Sequence, residues 1–307
     1  MILKKEKHKM TNCTSFEISN NIFIVIAVCY GIVGLMAAIF NSMIFLAMVK
    51  DPLKKLRTTF NYLVVNLCVF DFLNGVIGLP LFFIQFRFLD THNETPTSNW
   101  LSIICSILPN TILIGVFYSI CALSIDRYKA IVHPIKYRQN MSWRRCIKYM
   151  LALWFVAISS SLMFLINNIV VATAWRNFNV ILVSVVLLIV YIRVRKSLRS
   201  HNTEFEERMK ESLIASQETV KSRLKTEQKI TRVYSVILMT VLITTLPGLV
   251  ILDFTALYQD VDCLVGFIAF NVRLLLLYSN SVMNPLVCMF MLKNFKESIK
   301  VMFCCCI

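Results

Sequence analysis

Seven apolar runs, each near the ~20 residues that cross a bilayer, constrain this chain more than any other feature. They cover Ile22–Val49, Thr59–Phe86, Leu101–Ile125, Ile147–Asn167, Phe178–Val194, Val233–Leu257 and Leu264–Met291. Within lipid a backbone must satisfy its own hydrogen bonds, which single runs of this length do only as helices. The runs therefore predict an all-α membrane protein, a bundle of seven transmembrane helices. Only about ten residues, "NIVVATAWRN", separate the fourth run from the fifth, which is the shortest. The bundle is expected over 22–291, with a tail before it over 1–21 and a long loop at 195–232. Residues 292–307 read as a short amphipathic helix and a cysteine-rich tail.

Charge sets the topology. A net charge of +15 could suit nucleic acid, but its placement argues for a membrane. With alternate loops assigned to opposite sides, 25 Lys and Arg fall on one side and six on the other. That asymmetry is the positive-inside pattern, so the N-terminus is expected outside and the C-terminus in the cytosol of a multi-pass plasma-membrane protein. The basic excess can attract anionic lipid, and no nucleic-acid partner is expected. "MILKKEKHK" conflicts locally with this side assignment, and Met10 is the expected start. Asn12 and Asn93 open Asn-x-Thr acceptors on the predicted outer side and are expected to carry glycans. The outer cysteines Cys13, Cys105 and Cys263 are odd in number, so at most one pair forms among them. Cys304, Cys305 and Cys306 follow the basic amphipathic segment "LKNFKESIKVMF". Juxtamembrane cysteines of this kind take palmitate, and acylation next to a basic helix gives two weak membrane anchors.

The residues for bond chemistry are missing from the sequence. All four His fall in loops or tails without metal-ligand spacing. Neither a Gly-rich phosphate loop nor a Ser nucleophile elbow occurs. What remains is polarity where lipid penalises it. Asp71 lies mid-span, where a carboxylate costs about 2.5–3.5 kcal/mol, so it must face the bundle interior. Asn41 and the run "NSVMNP" (Asn280, Ser281, Asn284, Pro285) lie at similar depth. Pro247 and Pro285 interrupt the sixth and seventh runs and can act as pivots. In "SIDRY", Asp126, Arg127 and Tyr128 stand where the third run meets cytosol. They can anchor the helix end, or form a switch in which Asp126 and Glu227 restrain Arg127 until a cytosolic partner binds.

The order of these motifs resembles a rhodopsin-like (class A) G-protein-coupled receptor over about residues 20–306. Asn41 falls in the first helix, Asn66-Leu67 and Asp71 in the second, and Asp126-Arg127-Tyr128 in the third. Trp154, Tyr191, Pro247 and Asn284-Pro285 follow in the next four. The resemblance implies an extracellular ligand, an outward swing of the sixth helix and a heterotrimeric G protein docking against Arg127. It also implies a sodium pocket with Asp71 at its centre, lined by Asn280, Ser281 and Asn284 and near Asn41. No other cofactor is expected, and no enzymatic activity.

The departures from the family bear on function. Thr245 stands where the family carries its sixth-helix Trp, and Cys288 where it carries the seventh-helix Tyr. These suggest an alternative, a receptor-like protein that couples weakly or not at all. The family's third-helix disulfide lacks its partner, because no Cys lies between Cys146 and Cys263, leaving Cys13 or Cys263 for Cys105. The short second outer loop resembles that of melanocortin receptors. Pro109 occupies the site of the amine-receptor Asp, which argues against biogenic amines. Candidate pocket groups are Gln85, Asn110, Asn167, Asn168, Asp253, Asn271 and Arg273, which suit a peptide or a small polar ligand. A small transporter or channel is the rival from another class. It would need several ionisable groups along a path, and Asp71 is the one carboxylate expected at mid-membrane depth.

Overall fold

The computed structural model of the chain describes residues 20–84, 100–133, 136–137, 143–166, 169–211, 232–233, 235–245, 247 and 263–304. Helix α1 spans Asn20–Lys50 and α2 starts at Thr59. Thr58 caps α2, its hydroxyl accepting the Asn61 amide at 3.3 Å. The turn between the two is held by Asp51, which is buried and accepts the amides of Lys55 and Leu56 at 3.0 and 3.1 Å. Its φ of 35° lies in the left-handed region, which Asp tolerates better than most residues.

Helix α2 runs over Thr59–Leu73, widens into a π-turn at Asn74–Gly78 and resumes at Leu79–Ile84. The π-turn sits where α1 comes closest. A Cβ on Gly75 would lie 2.5 Å from the Gly34 carbonyl oxygen, so the two backbones touch through paired glycines.

Helix α3 (Trp100–Val132) packs against α2, α4 (Trp143–Ser161, with a 3-10 turn at Leu162–Leu165) and α5 (Ile169–Glu211). Gly115 leaves room for the Phe70 ring, which stacks on Trp154 with centroids 4.1 Å apart. Trp154 donates to Asn66 at 3.1 Å and Asn66 to Ser119 at 2.9 Å, tying α2, α3 and α4 together. The described part of α6 is Ser235–Thr245. Helix α7 spans Cys263–Met291 and packs on α1; α8 spans Lys293–Cys304. Phe295 and Ser298 of α8 are buried while Lys293, Lys296 and Lys300 are exposed, as its amphipathic sequence predicts.

Six of the described helices are long and apolar enough to cross a membrane, and Ser235–Thr245 is a shorter apolar helix. Their outer faces carry Phe155, Phe290 and Leu35 at 72%, 71% and 63% exposure. Apolar surface on this scale suits lipid as the surrounding medium.

Two sequence expectations need correction. The third helix does not end at the Asp126-Arg127 pair but continues to Val132, so both side chains are buried within it. The fifth helix begins at Ile169, not Phe178, which takes most of the expected loop "NIVVATAWRN" into the helix. The apolar residues before Trp175 continue the helix, and Trp175 fixes it by donating to the Ser160 carbonyl at 2.9 Å. Arg176 consequently lies about two turns inside α5 rather than in an outer loop. The expected cytosolic extension of this helix is present as far as Glu211.

Candidate functional site

Three polar regions lie along the bundle. Toward the end of the bundle where α3 and α5 begin is a cavity of about 510 Å³, counting space open to solvent. Its polar lining comes from Asn110 on α3, Arg176 and Asn179 on α5, Thr244 and Thr245 on α6 and Arg273 on α7. Arg176 lies over the Phe164 ring with its Cζ 5.5 Å from the centroid. Asn179 accepts from the Tyr118 hydroxyl at 2.6 Å and donates to the Trp175 carbonyl at 2.8 Å. Thr245 is buried, and its hydroxyl makes no hydrogen bond among the described residues.

Of the expected pocket residues, Asn110 and Arg273 are in this lining. Asn271 is not among them. It accepts from the Tyr30 hydroxyl at 2.9 Å and joins α7 to α1, because two residues' spacing turns it away from Arg273 on the helix. Gln85, Asn167, Asn168 and Asp253 lie outside the described residues. The sequence reading missed Arg176, Asn179 and Thr244 as pocket groups. Arg176, Asn179, Val180 and Val183 recur at helical spacing, a signal that could have found the inward face of α5.

Below the cavity is the polar core. Asn284 donates to Asp71 at 2.9 Å, and Ser281 also hydrogen-bonds this carboxylate. Asn74 donates to the Ser281 hydroxyl at 2.9 Å, and Asn41 to the Ser281 carbonyl at 2.9 Å. All five predicted core residues are buried. Four of them, Asn41, Asp71, Ser281 and Asn284, are brought together with Asn74. The fifth, Asn280, accepts from the Thr244 hydroxyl at 2.8 Å and so connects the core's helix to the cavity lining. Asn74 was missed, although its place one turn beyond Asp71 on the same helix face was available as a signal.

Four acceptor oxygens here are buried without a hydrogen-bond partner among the described residues: Asn41 Oδ1, Asp71 Oδ1, Asn74 Oδ1 and Asn284 Oδ1. Oxygen donors of this kind, with one carboxylate among them, fit the expected sodium ion. A hard cation takes oxygen ligands and would neutralise a carboxylate that is otherwise costly to bury.

The third region is at the end of the bundle opposite the cavity. Asp126 and Arg127 are each 4% exposed. Arg127 donates to Asp126 Oδ2 from Nη2 at 2.5 Å and from Nε at 3.2 Å. Tyr137 donates to Asp126 Oδ1 at 2.8 Å and accepts from Arg127 at 3.4 Å. The Arg127 guanidinium lies over the Phe60 ring at 4.3 Å. Burial, and then the Asp126 carboxylate, push the Tyr137 hydroxyl well above the ordinary tyrosine range, so it keeps its proton.

Tyr128 is half-buried next to the pair, and Tyr191 carries the Arg195 guanidinium over its ring at 5.3 Å. Glu227, Asn12, Asn93, Cys305 and Cys306 lie outside the described residues, as does the side chain of Cys304. Cys105 is a free, buried thiol; Cys13 and the side chain of Cys263 lie outside the described residues. Pro285 lies inside α7; Pro247 is helical and exposed.

Comparison with known proteins agrees with this arrangement. Residues 40–174 match the 7 transmembrane receptor (rhodopsin family). The chain is 32% identical to the Type-1 angiotensin II receptor A of Xenopus laevis over 49% of its length and 40% of that protein's. It is 30% identical to the Histamine H4 receptor of Rattus norvegicus over 45% of its length and 32% of that protein's. The Trace amine-associated receptor 7f of Mus musculus is 25% identical over 81% of the chain and 74% of its own length. The matched region thus spans less than half of the first two relatives. Over residues 40–174 the chain is similar to the rhodopsin family of seven-transmembrane receptors, and the three relatives named are receptors. None of these three is a melanocortin receptor.

Proposed function

We propose that this chain is a plasma-membrane receptor that passes the binding of an extracellular ligand to a heterotrimeric G protein. The N-terminus faces outside and the C-terminus the cytosol. The observation that carries the reading is the Asp126–Arg127–Tyr137 cluster at the cytosolic end of α3. Removing one member of a buried ion pair leaves the other uncompensated, at a cost of about 3–5 kcal/mol. The pair therefore holds a resting state until something else answers the charge of Arg127. A G protein inserting between the helices would do so.

The signal has a physical route. A ligand against Thr244 and Thr245 perturbs the Thr244–Asn280 hydrogen bond, and Asn280 lies on α7 next to Ser281 and Asn284 of the polar core. Asp71, Asn74 and Asn284 there would hold a sodium ion, whose charge would offset the carboxylate. Thr244 thus offers a hydrogen-bonded link between α6 and α7, where the family carries a Trp at the neighbouring position. Anionic lipid is a further partner of the cytosolic surface, and Cys304, Cys305 and Cys306 are its acylation sites.

The amines named for two of the relatives suit this cavity poorly. Pro109 replaces the expected third-helix Asp, and the lining includes two arginines. A second reading, a receptor-like chain without coupling, is favoured by Thr245 and Cys288. Expression with a panel of G proteins separates the two. The receptor reading predicts basal or ligand-driven G-protein dissociation that Arg127→Ala lowers at equal surface expression. Dissociation that is present and indifferent to that substitution contradicts the switch; none under any condition supports the second reading.

A further inference from the structure

We propose that Asn179 is a positioning residue: it closes a ring of hydrogen bonds through α3, α4 and α5, which makes the three helices one block and sets where the far part of α5 stands. The ring is independent of the receptor reading, and only the use of α5 to carry a signal rests on it. Three bonds make the ring, one for each pair of helices. Thr111 on α3 donates to the Ser161 hydroxyl of α4 at 2.6 Å. Trp175 on α5 donates to the carbonyl of the neighbouring Ser160 at 2.9 Å. Tyr118 on α3 donates to Asn179 on α5 at 2.6 Å. Asn179 in turn donates to the Trp175 carbonyl at 2.8 Å, which joins the two α5 members one turn apart. Thr111, Ser160, Ser161 and Asn179 are all buried. Beside the ring lies a small apolar cluster of Ile114, Ala157 and Phe164, against which Tyr118 and Trp175 pack.

No Cys lies between Cys146 and Cys263, so no disulfide ties the α4–α5 connection to α3. That connection is short: the 3-10 turn after α4 ends at Leu165 and α5 starts at Ile169. Side-chain hydrogen bonds, which join helices inside a membrane, hold this end of α5 instead. Within Ile169–Glu211 there is neither Pro nor Gly, the residues at which helices most often kink. A straight helix held at its start carries a displacement there along its length. Tyr191 lies about 18 Å beyond Asn179 along the axis. Asn179 therefore governs where Tyr191, with the Arg195 guanidinium over its ring, stands against Arg127 of α3.

The test uses the purified full-length chain in nanodiscs, without a G protein. Ile192, exposed on the far part of α5, is replaced by trifluoromethyl-phenylalanine, whose fluorine resonance reports the position of that part of the helix. Asn179→Leu, Tyr118→Phe and Trp175→Phe each open the ring and should each move the resonance by more than its own linewidth. Combining Tyr118→Phe with Trp175→Phe should move it little further, because a ring already open has no second constraint to lose. Ser159→Ala should leave it in place, since that exposed hydroxyl bonds within α4, to the Phe155 carbonyl at 2.8 Å. Thr111→Val opens the ring at its opposite corner and decides the matter if the Asn179 variant does not fold. A resonance unmoved by the ring variants in protein that still unfolds cooperatively overturns the proposal, because the bonds would then be local packing only. So does an equal shift in Ser159→Ala, or shifts that add in full in the double variant. A failure of G-protein coupling plays no part in this measurement and would fall on the receptor reading alone.

Discussion

Arg127 and Arg176 are both arginines held within the bundle, but different groups answer their charges. Arg127 has a carboxylate at hydrogen-bond distance, a tyrosine bridging to it and the face of Phe60. Arg176 has the Phe164 ring and an open cavity. The first arrangement is closed and self-sufficient, whereas the second leaves the guanidinium in the lining of a cavity. At Tyr137 the prediction is specific. Tyr137→Phe removes the hydrogen bond to Asp126, worth about 1.5–3 kcal/mol to a charged partner, and should raise basal G-protein activation several-fold at matched surface expression. Because its hydroxyl is pushed up, the stabilisation it gives is present below the ordinary tyrosine pKa and lost only as pH rises through the raised value. Basal signal should therefore show no Tyr137-dependent change across the neutral range, and a titration there that vanishes in Tyr137→Phe would contradict this. Thr244→Val should cut the link to Asn280, lowering the response to ligand while leaving ligand binding measurable by thermal shift. The charged pair was legible in "SIDRY", which left anchoring and a switch both open, but Tyr137 was not. It lies in a different segment, and only the folded turn brings its hydroxyl to Asp126.

At the scale of elements, most helices followed from hydropathy because lipid leaves a buried run of this length no other regular structure. Boundaries were harder. Hydropathy treats Arg176 and Asn177 as the loop before the fifth apolar run, yet a polar side chain can sit inside a membrane helix if it faces a cavity. Sequence shows the charge without the face it occupies, so α5 was started nine residues too late. The α1–α2 contact shows what hydropathy cannot register. Gly75 in the π-turn allows the helices to touch, and a Cβ there would press on the Gly34 carbonyl. Gly75→Ala should cost about 1–3 kcal/mol through overpacking, seen as a lower unfolding temperature of the purified chain. Gly31 faces open space, so Gly31→Ala should leave that temperature essentially unchanged. Equal effects at the two positions would show that the close approach does not limit packing.

For the whole molecule, a cavity near one end, a buried polar core and an ion pair near the other end are stacked along one bundle. The Thr244–Asn280 hydrogen bond joins the first to the second. The core should respond to sodium: the salt should raise the unfolding temperature of the purified chain more than an equal concentration of a bulky organic cation. Asp71→Asn should remove that difference, because it removes the charge. The central claim, that Asp126 holds Arg127 in a resting state, is tested most directly by basal G-protein dissociation. Three chains brought to equal surface expression are compared: the unaltered protein, Asp126→Asn and Asp126→Asn with Arg127→Ala. A pair worth even part of the ~3–5 kcal/mol of a buried salt bridge predicts a rise of at least several-fold in Asp126→Asn, abolished in the double variant. Basal dissociation equal in all three would contradict the account.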